Sequence, residues 1–230
     1  MRLLTHDTAA VGSELLAIGP RRARDYARVL AGFGGLPAGW NPGGEHGAAA
    51  GWDLVLGQPR TLSVLHYDLI GRALAELRRG RSGLALAADL FERQQQLTKA
   101  HHRTVELMVR RLAEAAHIPP PRLVDHPLDS AHHPLLHTHV VFGALTEGGR
   151  RLPLDAGRLG VLARRAIMDY YRRLRDATAV LVAPDCWWGP VGPDGTTELV
   201  GLPARLLAAH SGRCRPLSEI AACARAVGDL

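Results

Sequence analysis

The sequence predicts an α+β fold, and three observations support this class. Several segments place apolar residues at three- and four-residue intervals, the period of an amphipathic helix. Short apolar runs bounded by glycine or proline are typical of strands. Two of these runs follow one another across a turn-forming stretch, which favours an antiparallel pair. A chain of 230 residues is long enough to bury a core around these elements.

The N-terminal part is predicted to hold one helix, at about residues 20 to 32. The segment from 33 to 51 is rich in Gly and Pro and predicts a loop. We therefore divide the chain into a divergent N-terminal region with this loop, residues 1 to 50, and a main domain, residues 51 to 230.

The main domain begins with a short apolar run, residues 52 to 57, which suits a buried strand. Helical spacing then returns twice. The first of these helices covers about residues 61 to 80. The second is long, and it is predicted to begin at Asp89 as N-cap and to extend to residue 117.

Two strands are predicted after a stop formed by three prolines, at residues 120 to 126 and 136 to 145. The ten residues between His126 and His137 are interpreted as the loop that joins them. A further helix follows at 157 to 177, and the segment from 195 to 210 is predicted to change from strand to helix.

Composition narrows the class of protein. Three cysteines without a C-x2-C pair exclude a disulfide framework and a thiolate zinc site. The N-terminus lacks the features of a signal peptide, and no apolar run is long enough for a membrane span, so we expect a cytoplasmic protein. All but one of the 28 basic residues are arginine, and the net charge of +6 is compatible with a nucleic-acid partner.

The stretch HPLDSAHHPLLHTHVV, residues 126 to 141, holds five histidines in sixteen positions. Because side chains alternate along a strand, His137 and His139 should point to one face and Thr138 to the other. Antiparallel pairing would place His126 beside the start of the second strand. These three imidazoles are therefore candidate metal ligands, although histidines that merely occupy a polar loop remain the alternative.

Three neutral nitrogens without a fourth protein ligand describe an open site, which leaves positions for water or substrate oxygens. An ion in such a site polarises a phosphoryl or carbonyl group. The residues alone thus leave two kinds of function open, phosphodiester chemistry and small-molecule hydrolysis.

The same stretch resembles the histidine signature of the MobF-class conjugative relaxases, the TrwC/TraI relaxase family. In that signature a histidine and ten further residues precede a Pro-x-Leu-His-x-His run that enters a strand. The family also has a GYDLTFSAPKSVS motif upstream, to which GWDLVLGQPRTLSV at 51 to 64 is similar. Two downstream stretches, at 148 to 174 and 197 to 213, resemble family segments in the same order.

The resemblance implies a central antiparallel sheet that carries a three-histidine (HUH-type) site and is flanked by helices. It implies that His126, His137 and His139 hold a divalent metal, Mg²⁺ or Mn²⁺, with Zn²⁺ as an alternative. Asp53 would orient one of these imidazoles through its second nitrogen. Single-stranded DNA would be the partner, with Arg60 as a DNA-binding residue and other conjugation proteins as further partners.

The nucleophile is the feature that matches the family least well. In relaxases of this class a tyrosine near the N-terminus attacks the phosphate and becomes linked to the DNA 5′ end. Only 52 residues precede Asp53, fewer than the family pattern requires, and Tyr26 is the one tyrosine among them. Tyr170 and Tyr171 fall on a helix where the family pattern implies packing residues.

The sequence therefore predicts a relaxase-like, metal-dependent protein that nicks and joins single-stranded DNA in conjugation or mobile-element processing, with reduced or absent cleavage. Tyr26 and Asp53 are its catalytic candidates. The alternatives are an inactive module that binds single-stranded nucleic acid and a three-histidine metallohydrolase that acts on small molecules.

Overall fold

The computed structural model describes residues 13–40, 49–129, 133–144, 156–183 and 186–211. The N-terminal half contains strand β1 (Glu14–Ile18), helix α1 (Pro20–Leu30), strand β2 (Gly51–Gly57), helix α2 (Arg60–Arg78) and helix α3 (Leu84–Ala116). The C-terminal half contains β3 (Arg122–Leu128), β4 (Pro134–Gly143), α4 (Ala156–Val182), β5 (Trp187–Trp188), β6 (Leu199–Val200) and α5 (Ala204–Ser211).

The main sheet has four strands in the order β1-β2-β4-β3. Strands β1 and β2 are antiparallel, and so are β2 and β4. The two central strands are buried along nearly their whole length, whereas the edge strands β1 and β3 alternate or are half-exposed. This difference is expected, because a central strand of a covered sheet is shielded on both faces. The α+β class with a central antiparallel sheet is confirmed.

The chain divides into two compact units. The first contains β1, α1 and β2, the C-terminal part of α3 and the parts of β3, β4 and α4 within 105–126 and 137–170. The second contains α2, the N-terminal part of α3, the β5-β6 hairpin and α5. Residues 14 to 30, which belong to the region described from the sequence as divergent, supply an edge strand and a helix to the first unit.

Helix α1 covers one face of the sheet in the first unit. It begins with Pro20, which suits the first helical position because its missing N–H needs no partner there. Its apolar stripe is Ala23, Tyr26 and Leu30, and all three are buried. Tyr26 and Leu30 form a core cluster with side chains from β1, β3 and β4, namely Ile18, Val124 and Val141.

Gly143 at the end of β4 shows how closely the chain packs at this edge of the core. A Cβ there would lie 2.2 Å from the carbonyl oxygen of Ala38. Only glycine allows the segment before β2 to approach the strand so closely.

In the second unit, the start of α2 is capped by a residue distant in sequence. Pro59 at the N-cap position has no side chain that could accept a hydrogen bond. Instead, the Glu198 carboxylate accepts the backbone N–H groups of Arg60, at 3.3 Å, and Thr61, at 2.9 Å. A carboxylate at a helix N-terminus is stabilising, since the first backbone N–H groups have no partner within the helix.

The sequence prediction missed one strand and misplaced two boundaries. Strand β1 was not predicted. Helix α3 begins at Leu84, so Asp89 lies inside the helix and is not its N-cap. A 3-10 turn at Gly80–Gly83 precedes the helix. Leucines and alanines, which are good helix formers, occupy the first turn of α3. The strands continue beyond the predicted ends, so the connection between β3 and β4 spans only 129 to 133. The described residues contain no helix whose length and hydrophobicity would allow it to cross a membrane.

Candidate metal centre

Three histidines converge on the sheet face that α1 covers. Residues opposite one another in an antiparallel pair point to the same face, and β4 pairs His137 with Gly57 and His139 with Val55 of β2. Thr138, between them, points to the other face, where its hydroxyl donates to Asp125. His126 approaches both imidazoles from β3.

The spacing of the three rings suits one shared ion. The ring centroids of His126 and His137 are 5.4 Å apart, and each lies 5.1 Å from the centroid of His139. A metal–nitrogen bond of about 2.1 Å places a ring centre roughly 3.2 Å from the ion, so three tetrahedrally arranged rings are about 5 Å apart. All three side chains are buried. The donor set fits a divalent cation.

Asp53 supplies the carboxylate beside this cluster. It lies on β2, fully buried, and its Oδ2 is 2.7 Å from Nδ1 of His139. An ionised carboxylate only accepts, so the imidazole donates from Nδ1 and carries its lone pair on Nε2.

Tyr26 reaches the same carboxylate from helix α1. Its hydroxyl donates to Asp53 Oδ2 at 2.6 Å, so this one oxygen accepts from both the tyrosine and His139. Burial, and then the charge of Asp53, raise the pKa of the Tyr26 hydroxyl far above its ordinary value, while the charge of Arg22 lowers it. The ring also stacks on Trp40, with centroids 6.4 Å apart. The phenol is therefore protonated at neutral pH.

The structure thus brings together five of the six residues singled out from the sequence: His126, His137, His139, Asp53 and Tyr26. Arg60 belongs to the second unit, where its guanidinium donates to the backbone carbonyl of His210 at 3.5 Å.

Two other tyrosines and one further histidine of this stretch, His133, lie where they have structural roles. Tyr170 and Tyr171 are buried in α4, as expected for packing residues. His133 is buried and contacts Asp129 through its backbone N–H, at 2.8 Å, and through Nδ1, at 3.1 Å. His132 lies outside the described residues.

The contact between Tyr26 and Asp53 was not predicted from the sequence. Yet a signal existed: Tyr26 shares the i, i+3, i+7 stripe of α1 with Ala23 and Leu30, so it had to face the core. A buried tyrosine hydroxyl usually finds a hydrogen-bond partner. What the sequence could not give was which partner, because the two residues are 27 positions apart.

Comparisons with known proteins identify solved structures that share the fold of this chain. No family model and no curated protein sequence matches the chain. Solved structures do match: a metal-free structure of the conjugative relaxase TrwC in complex with OriT DNA superposes with a TM-score of 0.55 at 14% identity, covering 95% of this chain and 91% of that one. The fold is therefore similar to that of this conjugative relaxase.

Two further TrwC structures give the same result. One is TrwC complexed with a 27-mer DNA that comprises the recognition hairpin and the cleavage site, and the other is a metal-bound complex with OriT DNA. Each has 15% identity and a TM-score of 0.55, and each match covers 94% of this chain and 90% of the other. The chain therefore has the fold of the TrwC relaxase domain.

Proposed function

We propose that this protein is a relaxase-like, metal-dependent enzyme that nicks and rejoins single-stranded DNA. One observation carries the proposal: the Tyr26 hydroxyl, the Asp53 carboxylate and the His139 imidazole form a continuous hydrogen-bonded chain beside two further histidines. This arrangement supports the proposal, because it offers a candidate nucleophile, a proton acceptor and candidate metal ligands within one buried site. The fold shared with TrwC supports the same conclusion.

His126, His137 and His139 would hold the ion, Mg²⁺ or Mn²⁺, with Zn²⁺ as an alternative. When bound, such an ion polarises the oxygens of a phosphodiester. Asp53 fixes the His139 ring and its tautomer, so that the imidazole presents Nε2 to the site.

In the proposed reaction the Tyr26 oxygen attacks phosphorus and forms a phosphotyrosine bond to the 5′ end of the downstream fragment. The P–O3′ bond breaks, and its electrons leave with the 3′ oxygen, which takes up a proton. Because the raised pKa keeps the phenol protonated, its proton must leave during the attack, and Asp53 Oδ2 at 2.6 Å is positioned to accept it. The reverse step, attack by a 3′ hydroxyl on the phosphotyrosine, rejoins the strand.

DNA as the partner is supported by the TrwC structures, which are complexes with OriT DNA. The net charge of +6, carried almost entirely by arginine, suits a phosphate backbone. Arg60 is proposed as one DNA contact, and other conjugation proteins as further partners.

The test is the formation of a covalent adduct. A pool of mixed-sequence single-stranded DNA, labelled at the 3′ end, is incubated with the protein and Mn²⁺ and separated on a denaturing gel. We expect labelled DNA to migrate with the protein, because the fragment on the 3′ side of the cut stays attached through its 5′ phosphate, and EDTA should prevent this. The same pool labelled at the 5′ end should give shorter DNA without protein attached.

The burial of Tyr26 favours a second candidate, a module that binds single-stranded DNA without cutting it. Tyr26 is 3% exposed, and Trp40 stacks against it. DNA binding without an adduct would support this candidate. Turnover of a generic phosphodiester such as bis-p-nitrophenyl phosphate, without DNA binding, would instead support the small-molecule hydrolase.

A further inference from the structure

The outer face of helix α1 carries a concentration of positive charge that the hydrogen-bonded site does not use. Four of its eleven residues are arginines, and all four are exposed: Arg21, Arg22, Arg24 and Arg28. The helix contains a single acidic residue, Asp25, which lies 3.6 Å from Arg28. The exposed face therefore keeps a net positive charge.

Helical geometry places these arginines in a defined relation to Tyr26. Arg21, Arg24 and Arg28 follow an i, i+3, i+7 spacing and form one stripe opposite the buried stripe that contains Tyr26. They extend over about 10 Å of the helix axis, at a rise of roughly 1.5 Å per residue. Arg22 lies one turn before Tyr26, between the two stripes.

We infer that this arginine stripe, on the outer face of the helix that carries Tyr26, is a surface along which the DNA backbone lies. Arginine suits this partner, since its planar guanidinium can donate two parallel hydrogen bonds to a phosphate. The inference rests on the proposed function, and it adds the element that guides the strand to the site.

The electrostatics of the helix agree with this inference. Arg22 is close enough to influence the Tyr26 hydroxyl, whose pKa its charge lowers against the opposing effects of burial and Asp53. The charge of Arg22, on the flank of the helix between the two stripes, thus acts on the same oxygen that would attack the phosphate. The exposed arginines and the buried tyrosine lie on opposite faces of one helix, so a strand held by the stripe is about one helix diameter, roughly 10 Å, from Tyr26.

The test compares two variants that lose the same charge. The stripe variant carries Arg21→Gln, Arg24→Gln and Arg28→Gln. The control carries Arg103→Gln, Arg110→Gln and Arg165→Gln, which remove three equally exposed arginines from α3 and α4. Affinity for a fluorescently labelled 30-nucleotide mixed-sequence single strand is measured by anisotropy at several salt concentrations, after thermal unfolding has shown that both variants fold.

We expect the stripe variant to bind at least about tenfold more weakly at 0.1 M salt, and its salt slope to fall by about 2, since each phosphate contact contributes roughly 0.7. The control should stay within about threefold of the wild type. Equal losses in both variants would overturn the inference, because binding would then be diffuse. An unchanged stripe variant would overturn it too and leave the proposed function standing, whereas a wild type that does not bind single strands would refute both.

Discussion

The protein buries a cluster of three histidines in its first unit and, in its second unit, a histidine whose partners differ, His66. In the first unit, three imidazoles converge within about 5 Å of one another, and a fully buried carboxylate contacts one of them. In the second unit, His66 on α2 contacts an amide and a hydroxyl on α3: Gln94 Nε2 lies 2.6 Å from its Nε2, and Thr98 Oγ1 lies 2.8 Å away. All four histidines are buried to a similar extent, but the groups that contact them differ in chemistry.

The difference separates a ligand cluster from a structural contact. An amide nitrogen only donates, so Nε2 of His66 accepts from Gln94 and its lone pair is committed to the protein. Burial lowers the pKa of His66 to about 4, which keeps it neutral. In the three-histidine cluster the carboxylate instead fixes a tautomer that directs a lone pair into the site. Partner type, more than burial, indicates function.

The largest effect should come from the nucleophile. Tyr26→Phe removes the attacking oxygen while keeping the ring against Trp40, so the covalent DNA adduct should fall to background on a denaturing gel. Metal affinity should change little, because the tyrosine contacts the carboxylate and not the ligand cluster.

Tyr170→Phe is the matched control, since this tyrosine is fully buried in α4. It should form the adduct at the wild-type level. An adduct that persists in Tyr26→Phe would show that another group attacks the phosphate.

The next effect concerns the carboxylate. Asp53→Ala removes the acceptor that fixes the His139 ring, and we expect Mn²⁺ affinity to fall by about 10- to 100-fold in calorimetry. The Mn²⁺ affinity of Asp53→Asn should lie between those of the wild type and Asp53→Ala, because the amide oxygen still accepts a hydrogen bond but the negative charge is gone. Unchanged affinity in Asp53→Ala would exclude a role in metal binding.

The lowered pKa of His66 predicts that the stability of the protein depends on pH. The unfolded chain binds a proton at His66 near pH 6.5, whereas the folded chain does so near pH 4. Between these values the unfolded state holds more protons, so stability is full above pH 6.5 and is lost as the pH falls toward 4. The loss at pH 5 relative to pH 7.5 is about 2 kcal/mol.

Urea unfolding at both pH values measures this loss, with His66→Gln as the comparison. The variant lacks the titrating group, so its stability should depend less on pH by about 2 kcal/mol. Equal pH dependence in the two proteins would mean that His66 is protonated in the folded state at pH 5.

Much of this contrast was predictable from sequence, and the reason lies in local geometry. The two-residue period of a strand put His137 and His139 on one face, and a short connection put β3 beside β4. The helical period likewise predicted α1, α2, α4 and the body of α3. Signals of this kind depend on neighbours along the chain.

The parts that were missed depend on distant pairing. Strand β1 has five residues at a sheet edge with mixed burial, so its sequence lacks a clear alternation. Its pairing with β2 bridges helix α1 and the residues between 31 and 50. The contact of Tyr26 with Asp53 likewise joins two elements whose alignment only the folded sheet defines.

The central claim is that His126, His137 and His139 bind one divalent cation, and a metal titration tests it most directly. Mn²⁺ binding is followed by electron paramagnetic resonance in the wild type, in each single His→Ala variant of the three, and in His66→Gln. We predict one Mn²⁺ per wild-type chain, an affinity more than about 100-fold weaker in each of the three variants, and wild-type binding in His66→Gln. Wild-type binding in the variants of the cluster, or a wild type that binds neither Mn²⁺ nor Mg²⁺ nor Zn²⁺, would contradict the claim.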